Sequence, residues 1–176
     1  MEWPHVEEFL SYGQAFYPVN SEGSGDVLMI LLDNGDRKIV NMSCDTFLKQ
    51  LLMYYGTSMS ASRQRYGYFL GKKQMVPVPL SHGKTLIPFH TREPIGRQSK
   101  TGWVIAKEID AFRKKTLHET EVQLGAHSIS VKHSSKFCFE QLKNARWIEL
   151  CFQELHGHST QGWNFFQNVR GVYEKV

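Results

Sequence analysis

The chain has too few cysteines, too irregularly spaced, for them to organise it. Cys44, Cys138 and Cys151 are an odd number with no C-x-x-C pair, which speaks against a disulfide framework and against a structural zinc site. Long apolar runs are also missing. The longest, Val27 to Leu32, spans six residues, against the roughly 20 that a membrane-spanning helix needs, so no transmembrane segment and no membrane partner are expected. The opening Met-Glu-Trp-Pro is acidic where a secretory signal would be basic and then apolar, so the expected location is cytoplasmic, with thiols kept reduced. No P-loop, GxGxxG, GxSxG or SxxK pattern occurs, and neither a nucleotide cofactor nor nucleophilic catalysis has a fingerprint. No solenoid repeat or low-complexity tract appears. The expectation is a protein that is not an enzyme and that holds no cofactor.

What is present is charge, unevenly placed. Residues 1–60 carry three Lys or Arg against eight Asp or Glu, a net −5, whereas residues 61–115 carry twelve against Glu93, Glu108 and Asp110, a net +9. Residues 116–176 balance at six of each sign, and the whole chain stands at +4. With 41% apolar and 12% aromatic residues the chain is rich enough to build a core. A cationic block inside such a chain is the footprint of a polyanion binder. Charge alone fits a solvated basic face as well.

Two β-prone runs, Val27 to Leu32 and Arg37 to Met42, flank Asp33-Asn34-Gly35-Asp36, an Asn-Gly hairpin signal. Ser43 suits the N-cap of a helix in which Phe47, Leu48, Leu51, Leu52, Tyr54 and Tyr55 recur at helical spacing, with Gly56 just past its end. Thr57 or Ser58 caps a second short helix that puts Met59, Tyr66 and Leu70 near one face, projects Arg63 and Arg65 elsewhere, contains Gly67 and stops at Gly71. Met75 to Leu80 and Lys84 to Phe89 flank Ser81-His82-Gly83 as another hairpin, and prolines 77, 79 and 88 argue for edge strands or irregular pairing. His90 to Thr101 has no apolar period and reads as an exposed basic loop. Trp103 to Ile109 resumes a strand, and Val122 to Leu124 with Ile129 to Val131 bracket Gly125-Ala126 as a hairpin. Ser134 or Ser135 then caps a long helix through Leu155, with Gly157 as its stop. The residues after it, with Trp163, Phe165, Phe166 and Tyr173, read either as a tail carrying a docking motif or as a segment folded back on the domain.

Cys138 and Cys151 fall on the long helix and read as buried structural thiols. His156 and His158, with Cys151 before them, come nearest to a metal cluster but lack the partner spacing of a zinc site, so no metal is expected. His82, His90, His127 and His133 fall at turns and strand ends and read as surface residues. Tyr54, Tyr55, Tyr66, Tyr68 and Phe69 offer π-faces of the kind that stack on single-stranded bases, but aromatics at helical spacing read first as core.

The segment 55–103 puts several of these features in order. It opens with Tyr55-Gly56-Thr57-Ser58, continues with Ser62-Arg63, the basic stretch and the two proline-bearing strands, and closes with Gly102-Trp103-Val104. This order resembles the ComK family of competence transcription factors, whose pattern runs aromatic-Gly-Ser-Ser, four residues to an Arg, a Lys-Pro-rich strand, an apolar strand ending Phe-Pro-Thr, and Trp-Ile after a polar loop. Thr120-Glu121-Val122 is similar to the family's Thr-Glu-Val strand, and a long helix follows, so the resemblance covers about residues 27–155. Ile87-Pro88-Phe89-His90-Thr91 stands where the family shows Phe-Pro-Thr. The C-terminus has no match to the Phe-Met-Leu-Tyr-Pro type of segment that members offer to a degradation adaptor, the nearest stretch being Trp163-Asn164-Phe165-Phe166.

The resemblance implies a DNA-binding activator of competence genes that acts as an oligomer, a dimer or tetramer, on paired AT-rich boxes. It further implies minor-groove reading, a nucleoid-associated location, RNA polymerase as a partner and control by a proteolytic adaptor. The expected architecture is a single α+β domain of antiparallel hairpins, with two short helices in the first half and a long C-terminal helix. Residues 1–26 form an N-terminal segment, 27–156 the ComK-like DNA-binding domain and 157–176 a tail. Arg63, Arg65, Lys72, Lys73, Arg92, Arg97 and Lys100 are the candidate groove readers, because a narrow, electronegative AT-rich groove takes up inserted Arg and Lys. Lys84, Arg113, Lys114 and Lys115 read as phosphate clamps or solvated surface. The alternative is a protein-interaction module, an adaptor or anti-activator, that keeps the fold without binding DNA. RNA binding is a third reading.

Overall fold

A strand made of consecutive apolar residues sends side chains to both faces, so it is stable only where both faces are covered. Val27 to Leu32 finds that setting. A computed structural model describes residues 2–93 and 96–157. His158, Trp163 to Phe166 and Tyr173 lie outside the described residues.

Strand β2 (Gly25–Leu32) pairs antiparallel with β3 (Arg37–Val40), with Ile30 opposite Lys38. In the Asn-Gly turn the Asp36 carbonyl accepts from Leu32 N–H at 3.0 Å and the Leu32 carbonyl accepts from Gly35 N–H at 3.1 Å. The other neighbour of β2 comes from the N-terminal segment, for which the sequence suggests no element. Pro4 opens helix α1 (Pro4–Tyr12), whose buried Val6 and Phe9 lead into β1 (Gly13–Ser21). β1 runs antiparallel to β2, with Phe16 opposite Ile30.

Helix α2 (Cys44–Tyr54) is capped by Ser43, whose Oγ accepts from Thr46 N–H at 3.1 Å. A helical run follows, built from α3 (Met59–Ser62), a π turn (Arg63–Gly67) and α4 (Tyr68–Leu70). β4 (Val78–Ser81) and β5 (Lys84–His90) form the expected hairpin, and β6 (Thr101–Ile105) completes a six-stranded antiparallel sheet of order β3-β2-β1-β6-β5-β4. Pro79 lies on the edge strand β4. Pro88 does not, but β4 ends its pairing at Val78 opposite Leu86, and the space beside Pro88 is filled by Gln141, whose Nε2 donates to the Pro88 carbonyl at 3.2 Å. The strand expected to reach Ile109 stops at Ile105 and turns through a 3-10 segment (Ala106–Glu108). A second antiparallel sheet, β7-β8-β9, is formed by β7 (Ala111–Lys114), β8 (Thr120–Leu124) and β9 (His127–Val131). Helix α5 (Ser135–His156) closes the domain, with Ser134 Oγ accepting from Phe137 N–H at 3.2 Å.

The large sheet is the middle layer, and strand alternation distributes its side chains. Phe16, Leu28, Ile30, Leu86, Trp103 and Ile105 face α1 and α2. Ala15, Leu31, Ile87, Phe89 and Val104 face the small sheet and α5. Phe9, Phe16 and Phe47 meet pairwise edge-to-face at 4.9–5.7 Å, tying α1, β1 and α2 together; such pairs add about 0.5–1.5 kcal/mol each beyond their burial. On α5, Cys138, Gln141, Ala145, Ile148 and Cys151 are buried at three- and four-residue spacing. Tyr66, Leu70 and Val76 pack on the C-terminal half of that helix. The chain is one α+β domain with antiparallel sheets, short helices in its first half and a long C-terminal helix.

Candidate nucleic-acid interface

The basic block begins on the helical run after Ser58. Ser58 Oγ accepts from Ala61 N–H at 3.1 Å and starts the run. At Arg63 it widens into a π turn, where Arg63 and Arg65 are exposed while Tyr66 and Gly67 are buried. A Cβ on Gly67 would stand 2.5 Å from the Lys72 carbonyl oxygen. The glycine lets the 71–77 connector lie against the helix, a packing reason that helical propensity does not anticipate.

That connector is fixed from beneath. Lys72 Nζ donates to Gln141 Oε1 at 3.0 Å, and Gln141 Nε2 donates to the Met75 carbonyl at 3.0 Å. Lys72 also stands over the Phe137 ring, 5.7 Å from its centroid. Burial pushes the Lys72 ammonium pKa down, with Glu140 opposing. Met75, bound at its carbonyl, is held at a left-handed φ of 53°, which costs a non-glycine residue about 1–2 kcal/mol. Lys72 is therefore a strut between connector and α5, while its neighbour Lys73 is exposed.

The loop 91–100 links β5 to β6, closed at its base by Thr91 N–H donating to the Lys100 carbonyl at 2.9 Å. Arg92 turns inward. Its guanidinium donates to the Ser99 carbonyl at 2.9 Å and lies 2.5 Å from the Asp26 carboxylate, with only 15% of the side chain exposed. Arg97 and Lys100 are exposed on the same loop. A groove of about 460 Å³ separates this loop from the helices, with Lys49 and Arg63 on one wall and Ser99 and Thr101 on the other. Asp45 joins the helix wall. Lys49 sits in the acidic first third, outside the cationic block, and only its exposed place on α2 marks it as part of this wall.

The remaining cations divide similarly. Lys84 was expected to clamp phosphate or face solvent, but its Nζ donates to the Leu10 carbonyl at the end of α1, and burial, with Lys107 nearby, pushes its pKa down. Arg113 and Lys114 are exposed on β7, and Lys115 lies 3.5 Å from Glu119. Of the candidate readers, Arg63, Arg65, Lys73, Arg97 and Lys100 are exposed, and Lys72 and Arg92 are committed to contacts inside the fold.

Two histidines read as surface residues are not. His127 is 3% exposed and hydrogen-bonds the Leu32 carbonyl at 3.0 Å. His133 Nε2 accepts from His90 N–H at 2.8 Å while its ring stacks on Phe137 at 4.1 Å. Burial, His90, Lys100 and Lys72 together push the His133 pKa down to about 4, so it is neutral at pH 7. Tyr54 and Tyr68, read as core, are about half exposed, whereas Tyr66 is buried.

All three thiols are free and buried. Burial pushes the Cys138 and Cys151 pKa values up to about 11 and that of Cys44 higher still, so none offers a thiolate at neutral pH. Among the described residues no His, Cys, Asp and Glu side chains group as metal ligands, and no helix is long and apolar enough to cross a membrane.

A double-covered antiparallel sheet with short helices in the first half of the chain and a long helix after it defines a domain of the α+β class, and this one carries exposed cations beside an open groove. The family model described as ComK protein matches residues 17–156. The chain belongs to the ComK family, a family of competence-related transcription factors. No curated protein and no solved structure matches the chain.

Proposed function

We propose that this chain is a sequence-specific activator of competence (DNA-uptake) genes that binds AT-rich boxes in double-stranded DNA as an oligomer and reads them largely through the minor groove. The observation that best supports the reading is the groove flanked by Arg63 and by the loop that bears Arg97 and Lys100. Cations on the helix wall of the groove and others exposed on the facing loop suit a polyanion laid across them, and AT-rich tracts attract inserted Arg and Lys by shape rather than by a unique hydrogen-bond code. Arg65 and Lys73 extend the cationic surface. Paired boxes require linked protomers, which is why self-association on DNA belongs to the proposal, and activation implies contact with RNA polymerase.

Electrophoretic shifts with AT-rich duplex, GC-rich duplex and RNA of equal length test the reading. The AT-rich duplex is expected to shift at the lowest protein concentration, and Arg97→Ala to weaken that complex more than the GC-rich one. Five exposed cations predict a log-log salt slope of about −4 to −5 per protomer at −0.9 per phosphate. A slope shallower than about −2, or no shift with any duplex, argues instead for a protein-interaction module on the same fold. A strict monomer on a two-box duplex contradicts the oligomer.

A further inference from the structure

A second groove, of about 920 Å³, opens between the helical run over residues 59–70 and the end of α5. Tyr66, Tyr68 and Phe69 line one side, Leu80 the floor strand, and Phe152 and His156 the other side. Phe152 stacks on His156 at 4.1 Å, and Tyr68 is 51% exposed. Helix α5 thus ends at the rim of an aromatic groove. Gly157 leaves it in an extended conformation, φ −75° and ψ 158°.

Nineteen residues follow Gly157, and they match the groove in chemistry and reach. Residues 158–169 contain no Asp, Glu, Lys or Arg, and they hold Trp163, Phe165 and Phe166 within four positions. A segment without ionic charge is cheap to take out of water, and its aromatic rings gain both burial and edge-to-face contacts. Trp163 is six positions beyond Gly157, a reach of at most about 22 Å at ~3.3–3.6 Å per residue. Covalent attachment at the end of α5 keeps the segment within that reach of the groove, and attachment over so few residues raises its local concentration to millimolar order.

We propose that residues 163–166 of this same chain dock in the aromatic groove between the 59–70 helical run and the C-terminal half of α5. Trp163, Phe165 and Phe166 fill the space above Tyr66, Phe69 and Phe152, and the charged residues Arg170, Glu174 and Lys175 stay outside. The groove is then a self-interaction site, which shares Arg65 with the cationic surface of the DNA reading but is not needed by that reading.

The test uses the full chain labelled with 5-fluorotryptophan and observed by fluorine NMR, with the Trp163 signal assigned by Trp163→Phe. In the unaltered protein the Trp163 signal is expected away from its position in a free peptide of residues 158–176, and shielded from a paramagnetic reagent in solvent. Two substitutions at exposed groove positions, Tyr68→Asp and Ala61→Phe, are expected to move it to the peptide position and restore full access. The Trp3 and Trp103 signals report whether each variant keeps the fold. A Trp163 signal at the peptide position in the unaltered protein overturns the proposal. So does a shielded signal that neither variant moves, which places the segment elsewhere, and shielding that appears only as protein concentration rises, which assigns the groove to a second copy.

Discussion

The guanidinium of Arg92 lies 2.5 Å from the carboxylate of Asp26, so the first cation of the β5–β6 loop is spent inside the fold, on a residue 66 positions earlier in the chain. Both side chains are mostly covered, at 15% and 21% exposed. A charge-assisted bond in that setting is worth more than a surface ion pair. Arg92→Ala is expected to cost about 1–2 kcal/mol of stability. A double-mutant cycle with Asp26→Asn should return a coupling energy of similar size in denaturant melts. Additive single substitutions would show that the pair contributes nothing.

Gly67 predicts a steric effect in the opposite direction from helical propensity. Gly→Ala in an open helix stabilises by up to about 1 kcal/mol. Here the new methyl would meet the Lys72 carbonyl at 2.5 Å, a backbone atom that cannot swing away. Gly67→Ala is expected to destabilise by about 1–3 kcal/mol, measured by the shift of the denaturant midpoint at constant m. A raised midpoint would show that the connector yields easily.

His133 makes stability depend on acidity. Its folded pKa, pushed down to about 4, lies below the ~6.5 of an unfolded histidine. The unfolded chain therefore binds the extra proton first, and the neutral ring's contribution is fully present above about pH 6.5 and lost as pH falls through about 4. Discounted for the ring's partial exposure, the loss is on the order of 1–2 kcal/mol. His133→Gln keeps an acceptor for His90 N–H but cannot charge, so its stability should fall less between pH 6.5 and 4. Equal pH profiles for the two proteins would remove His133 from the account.

Much of this fold is legible because its signals are local. Ser43, Ser58 and Ser134 each cap the helix that follows them, and Asn34-Gly35 sets the β2–β3 turn. β1 is not legible, although it lies at the centre of the large sheet. Its sequence, Gly-Gln-Ala-Phe-Tyr-Pro-Val-Asn-Ser, breaks any apolar period and contains Pro18. The proline is tolerated because the β1–β6 ladder stops at Phe16 opposite Trp103. β7 is hidden for another reason, since Phe112 is its only half-buried apolar side chain on an otherwise exposed edge.

The candidate site shows the same division. Charge singles out residues 61–115 as the cationic stretch, and within it Arg63, Arg97 and Lys100 are exposed. The inward turn of Lys72 toward Gln141 and of Arg92 toward Asp26 depends on partners 69 and 66 residues away. No local pattern separates those lysines and arginines from free ones.

Which side of the duplex the protein occupies can be read from one competition experiment. Fluorescence anisotropy of a labelled AT-rich two-box duplex is followed while a distamycin-type minor-groove ligand is added, in parallel with a duplex that carries methyl groups in the major groove. The ligand is expected to displace the protein, because it fills the narrow groove that Arg63, Arg97 and Lys100 would enter, whereas the methylated duplex is expected to bind nearly as tightly as the unmodified one. Binding abolished by the methyl groups and indifferent to the ligand would contradict minor-groove reading by these residues.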